Sequence, residues 1–185
     1  MGVLFPRRCP VSASCFRGMR TMFNLLGPLT NPALAPNQVL GVFSVDLVRP
    51  MAEVMGKLGS RHVMVVHSRD GLDEISPAAH TLVAELKDGE ISEYELDPAR
   101  FGQIAESLKD LAVADAAASL AIIESVLGGQ SGPGHAMIAL NAGAAIHVSG
   151  RADSLAEGIA RASEILYQGR ALERLRRYAE RSQNL

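Results

Sequence analysis

Asp70-Gly71-Leu72-Asp73-Glu74 puts three carboxylates within five residues. The group follows an apolar run, His62-Val63-Met64-Val65-Val66, that reads as a buried strand. It therefore falls in a loop at that strand's C-terminal end, where open α/β sheets bind their ligands. Tandem carboxylates beside a glycine suit a hard cation such as Mg2+. Carboxylate-held magnesium commonly serves phosphate or pyrophosphate substrates, because the ion keeps waters and bridges phosphate oxygens. The same residues also suit a solvated polar loop.

Other chemistry-bearing residues are scattered. His62 and His67 are five apart on one strand and point to opposite faces, which argues against a metal pair. His67 stands at the strand's end, near enough to the acidic loop to touch a substrate. His135 and His147 fall in the helical part and read as structural. Asn24, Thr30 and Asn31 flank a stiff Gly27-Pro28 loop that could hold polar groups against a ligand or simply connect two elements. No Gly-x-Ser-x-Gly elbow, zinc-type histidine pair or Walker loop occurs. Gly128-Gly129-Gln130-Ser131-Gly132 follows a helix rather than a strand, which favours a helix connection over a phosphate cradle.

The elements that must position the acidic loop are legible around it. Gln38–Ser44 is a strand candidate rich in β-branched and aromatic residues. Asp46 is expected to cap a helix running to about Gly59, with Leu47, Met51, Val54, Met55 and Leu58 on one face. With the following strand this is a βαβ unit, hence a parallel pair. His80–Leu86 and Ile91–Leu96 flank Asp88-Gly89, a strong hairpin signal. Asp97-Pro98 reads as a helix start. Helices are then expected over Asp115–Leu127, Gly134–Val148, from Ser154 with Glu157 as capping box to about Tyr167, and over Arg170–Arg181. The expected fold is α/β: a mostly parallel sheet with flanking helices and an antiparallel hairpin addition.

Length and composition suit a single soluble domain: 185 residues, 48% of them hydrophobic, with a net charge of −2 that calls for no nucleic acid or anionic membrane. No run approaches the roughly 20 apolar residues of a membrane span. Cys9 and Cys15 read as free thiols in a reducing cytoplasm. Residues 1–19 are basic and aperiodic and are expected to be aberrant or disordered, with the α/β domain occupying 20–185.

Arg20-Thr21-Met22-Phe23-Asn24-Leu25-Leu26-Gly27-Pro28-Leu29-Thr30-Asn31-Pro32-Ala33 resembles the R-T-x-F-N-x-L-G-P-L-x-N-P-A segment of the anthranilate phosphoribosyltransferases, glycosyltransferase family 3. Val65 through Ser76, with its Gly71-Leu72-Asp73-Glu74, resembles the same family's V-x-x-x-x-G-L-D-E-x-S segment. Leu96-Asp97-Pro98, Phe101-Gly102 and Leu140-Asn141-Ala142 match later landmarks in order. The resemblance implies a nucleoside phosphorylase/phosphoribosyltransferase-like catalytic domain. It implies transfer of phosphoribosyl from phosphoribosyl pyrophosphate to anthranilate in tryptophan biosynthesis, with Mg2+ as cofactor. By position it makes Asp73 and Glu74 metal ligands, puts Gly27 on the anthranilate path and leaves Asp70 to shape the turn.

The family's glycine-rich pyrophosphate loop, its lysine-histidine-asparagine segment and its helical N-terminal domain, through which it forms homodimers, have no counterpart in these residues. The chain is therefore expected to be the truncated C-terminal part of such an enzyme, its first residues arising from a shifted frame or alternative start. The competing expectation is a catalytically inactive fragment with at most weak magnesium or pyrophosphate binding. A nucleoside phosphorylase is disfavoured by the R-T-x-F-N and D-G-L-D-E motifs.

Overall fold

The computed structural model describes Gly27, Leu29, Thr30 and residues 32–183. The chain divides into two compact units, Met1–Ala33 and Leu34–Leu185. In the first, Gly27 and Leu29 are helical, and the Thr30 hydroxyl donates to the Gly27 carbonyl at 3.4 Å. Asn24, Asn31, both cysteines and the whole 1–19 stretch lie outside the described residues.

The second unit begins with β1 (Asn37–Gly41), followed by α1 (Val48–Lys57) and β2 (His62–Ser68). β1 and β2 pair in parallel, Asn37 against His62 through Gly41 against Val66. The ladder extends one step further, with the Val42 N–H donating to Val66 O at 3.0 Å. Asp46 does not cap α1. It sits inside a 3-10 turn, Val45–Leu47, whose Leu47 N–H is satisfied by Ser44 O at 3.1 Å, so no side chain is needed there. The buried face of α1 is Val48, Met51, Ala52 and Met55. Leu58, expected on that face, is 59% exposed, because the chain leaves the helix there and Gly59 takes φ +89°.

β3 (Thr81–Lys87) and β4 (Glu90–Leu96) form the expected hairpin. Asp88 at φ 50° and Gly89 at φ 90° are both left-handed, the backbone of a two-residue I′ turn. β3 also pairs antiparallel with β2, giving the order β1-β2-β3-β4. The sheet, expected to be mostly parallel, is mixed: of these pairings only β1–β2 is parallel. The reason is connection length. A parallel return needs a crossover, and a helix lies only between β1 and β2; the other joins carry none and turn the chain back.

After β4 the Asp97 carboxylate accepts from the Ala99 N–H at 2.9 Å, but the element it opens is a single 3-10 turn, Pro98–Phe101, stopped by Gly102 at φ 65°. Four helices complete the unit: α2 (Ala116–Leu127), α3 (Pro133–Val148), α4 (Leu155–Tyr167) and α5 (Arg170–Gln183). Asp115 caps α2 through the Ala118 N–H at 2.8 Å. Ser154 caps α4 through the Glu157 N–H at 3.2 Å, while the Glu157 carboxylate reaches past the cap to the Asp153 N–H at 2.8 Å.

α1 covers one face of β2 and β3. On the other face Met64, Val66, Val83 and Leu96 meet Leu140, Ala144 and Val148 of α3 and Ile159 of α4. Alternation on β2 thus serves two helical layers, which is why that strand reads as a continuous apolar run rather than an alternating one. No helix among the described residues is long and apolar enough to cross a membrane.

Candidate functional site

The acidic loop leaves β2 at Ser68 and is closed by its own backbone. The Ser68 N–H donates to Leu72 O and the Gly71 N–H to Ser68 O, each at 2.9 Å, with Gly71 at φ 92°. Asp70 turns back into the loop. Its Oδ2 accepts from the Ser76 hydroxyl at 2.6 Å and its Oδ1 from the Leu72 N–H at 3.4 Å. Partial burial works against its charge, but the hydroxyls of Ser76 and Ser68 outweigh that and hold it below the usual aspartate value. Asp70 therefore shapes the turn.

Two neighbours fix the far side of the loop. Asn141 of α3 accepts from the Ile75 N–H at 3.0 Å and donates to Ile75 O at 2.9 Å, pairing with the backbone of one residue in both directions. Ile75 itself is fully buried. Gly41, the last residue of β1, lies directly against Asp73: a Cβ built there would be 1.6 Å from the Asp73 carbonyl oxygen. Only glycine permits that approach. His67 is half-buried, and its Nδ1 lies 2.8 Å from Val42 O, tying the ends of β1 and β2 together.

Asp73 and Glu74 are left exposed between the close approach of Gly41 and the clamped Ile75. Among the described residues neither is engaged in a hydrogen bond or an ion pair. Burial of part of its side chain and the charge of Asp73 push the Glu74 carboxyl above the usual glutamate value. Two adjacent carboxylates that repel each other and have no cationic partner present oxygen donors for a hard divalent ion, with the remaining positions left to water or a ligand.

The structure therefore brings Asp70, Asp73 and Glu74 into one loop and gives them different roles. Gly27 belongs to the separate Met1–Ala33 unit. Gly41 and Asn141 are the positioning residues that the sequence reading did not assign. Each left a signal. A glycine ending a strand marks a close backbone approach, and an amide inside an otherwise apolar helix must find a partner.

Asp70→Asn tests the turn. It replaces a charge-assisted hydrogen bond with a weaker one, at a cost of about 1 kcal/mol once exposure is allowed for. The folded value of Asp70 lies below its unfolded value near 3.8, so its stabilisation is complete above that pH and is lost as pH falls through the folded value. Thermal melts should separate the two proteins at neutral pH and converge well below pH 3.8.

The chain belongs to the glycosyl transferase family, a/b domain, whose model matches residues 12–172. Within that family it is similar to the anthranilate phosphoribosyltransferase of Laribacter hongkongensis, with 56% identity over 168 residues covering 91% of this chain and 49% of that protein. Its structure is similar to that of the Thermus thermophilus anthranilate phosphoribosyltransferase, with a TM-score of 0.80 at 39% identity over 91% of this chain and 50% of the other. It is also similar to the Saccharomyces cerevisiae enzyme solved in complex with PRPP and Mg, with a TM-score of 0.78 at 28% identity over 92% and 50% of the two chains. The chain spans about half the length of the curated relatives it matches.

Proposed function

We propose that this chain supplies the metal-holding half of an anthranilate phosphoribosyltransferase site. The reaction transfers phosphoribosyl from phosphoribosyl pyrophosphate to the amine of anthranilate, releasing pyrophosphate and forming N-(5-phosphoribosyl)anthranilate in cytoplasmic tryptophan biosynthesis. The observation that carries this reading is the exposed Asp73–Glu74 pair at the C-terminal end of β2, whose carboxylates have no hydrogen bond or ion pair among the described residues and whose backbone lies against Gly41. The names of the relatives and the PRPP and Mg of the yeast complex support it.

The donor set fits magnesium: two hard oxygens, no nitrogen or sulfur, and a mutual repulsion that a cation relieves. When bound, Mg2+ would neutralise charge on the departing pyrophosphate. Asp73 and Glu74 would hold it. Asp70, Gly41 and Asn141 keep those two carboxylates in place by fixing the loop backbone. Loss of pyrophosphate leaves an oxocarbenium-like centre, so electrostatic stabilisation of the leaving group is what the site must supply. The aniline-type nitrogen attacks without a strong base, and no catalytic base is assigned. The family resemblance alone would put Gly27 on the anthranilate path.

The alternative reading is a binding-competent but catalytically inactive part. Both are tested on the purified full chain. Magnesium with pyrophosphate at about 100-fold above Kd should raise the melting temperature by on the order of 5–10 °C. The Asp73→Ala, Glu74→Ala double variant should lose that shift entirely. Product formation with both substrates establishes catalysis; a shift without product establishes the binding part alone; no shift in the parent chain removes the metal assignment.

A further inference from the structure

At the opposite end of β2 from the acidic loop, three polar side chains meet inside the protein. His62 opens β2, Glu85 lies in β3 and His147 lies in the last turn of α3. His62 and His147 are only 8% and 7% exposed. Their Nε2 atoms lie 2.6 Å and 3.2 Å from the same oxygen, Glu85 Oε1. The other carboxylate oxygen accepts from the Tyr94 hydroxyl at 2.8 Å. The two imidazole rings are nearly perpendicular, at 87° with centroids 5.0 Å apart, so their nitrogens converge instead of stacking.

The second nitrogen of His147 decides what such a cluster requires. His147 Nδ1 faces Ala152 O at 3.2 Å. A carbonyl can only accept, so Nδ1 carries the ring proton. In the neutral ring Nε2 then directs a lone pair at a carboxylate oxygen. That is repulsive unless a positive centre stands between them, either a second proton or a metal ion. An Nδ1–H bonded to a backbone carbonyl is also the arrangement that orients metal-binding histidines.

We infer that His62, Glu85 and His147 form a second metal site, distinct from the acidic loop, that takes a zinc-type divalent ion. Two imidazoles and one carboxylate are a ligand set suited to zinc and its transition-metal neighbours rather than to magnesium. The three ligand atoms already lie within 4.8 Å of one another. Donors around a tetrahedral zinc stand roughly 3.3 Å apart, given metal–ligand bonds near 2.0–2.1 Å. The 3.2 Å pair fits that spacing, and the 2.6 Å pair opens by less than an ångström to admit the ion. Tyr94 holds the non-ligating oxygen and so orients the carboxylate. The ion would clamp β2, β3 and α3, and α3 also carries Asn141. This inference does not depend on the phosphoribosyl reading, because it concerns a different metal at a different end of the sheet.

The test is titration of the chelator-treated full chain with Co2+ alone, followed by visible ligand-field absorption, and then displacement by Zn2+. In the Asp73→Ala, Glu74→Ala background one ion per chain should bind, and zinc should bleach the bands. Tyr94→Phe should weaken binding by about 10- to 100-fold. His147→Gln should abolish it, and His80→Gln, at an exposed histidine near Glu95 and Asp97, should leave it unchanged. Should His147→Gln not fold, ring resonances of the parent chain still report: added Zn2+ should shift those of His62 and His147 and spare His67 and His135. Bands that survive His147→Gln, unshifted His62 and His147 resonances, or protons found on both nitrogens of His147 in the zinc-treated chain overturn the assignment. The last of these would mean that a proton holds the cluster.

Discussion

Gly41→Ala should weaken magnesium–pyrophosphate binding by about 100-fold or more, the scale on which a displacement near 1 Å erases a productive geometry. A Cβ at this position would stand 1.6 Å from Asp73 O, 2.6 Å from Asp73 C and 3.2 Å from Asp73 Cβ. The obstacle is backbone, so no rotamer change relieves it. Either Asp73 moves away or β1 peels from β2. The loop is the softer side, tied down by Asn141 and Ser76 rather than by a ladder. Most of the effect should therefore appear as lost ligand-induced thermal shift, with about 1–3 kcal/mol of lost stability from overpacking. Gly71→Ala is the informative comparison. Gly71 has φ 92° but open space around its Cβ, so alanine there strains the turn by about 1–2 kcal/mol without colliding with Asp73. Ligand binding should distinguish the two: weakened by about 100-fold or more at position 41, retained at 71. Full binding by Gly41→Ala would show that the placement of Asp73 is not what the site needs.

What the sequence made legible follows the range of each interaction. The Asp88-Gly89 turn, the Ser154 cap and the acidic motif all depend on residues within a few positions of each other, and all appear in the structure. The apolar run of β2 was equally readable, since burial on both faces leaves an unbroken hydrophobic stretch. Asp46 misled because a backbone turn can satisfy a helix start as well as a side chain can. The share of parallel pairing was overestimated because one βαβ unit fixes one pair only, and the direction of β3 depends on how the loop after Asp70 returns. The clamp of Asn141 on Ile75 and the meeting of His62, Glu85 and His147 were invisible. They join residues 66, 23 and 62 positions apart, through register and helix packing that no local spacing encodes. The reading of His62 and His67 as facing opposite sides was right, and it hid the partners that each finds on its own side.

The seam between α3 and α4 yields a prediction of opposite sign to the one helix propensity makes. Gly143 and Gly158 lie in helix interiors, where glycine to alanine ordinarily stabilises by about 1 kcal/mol. Here each should destabilise by about 3 kcal/mol or more, at the upper end of overpacking costs. A Cβ on Gly158 would be 2.3 Å from Gly143 O, and one on Gly143 would be 2.5 Å from both Cα and Cγ1 of Ile159. These contacts are again with backbone or with a fully buried branched side chain, so the helices themselves must separate. Separation lifts Leu140, Ala144 and Ile159 from Met64, Val66 and Val83, and it moves the helix that carries Asn141. The melting temperature should fall by on the order of 6–12 °C for either variant. The affinity for magnesium and pyrophosphate should fall with it, because Ile75 loses its fixed partner. The double variant should cost less than the sum of the two by about 0.5–3 kcal/mol, since the first alanine opens the space that the second would have to open. Stabilisation by Gly158→Ala, or strict additivity, would mean that the helices do not meet through these glycines and that the acidic loop is held in place without them.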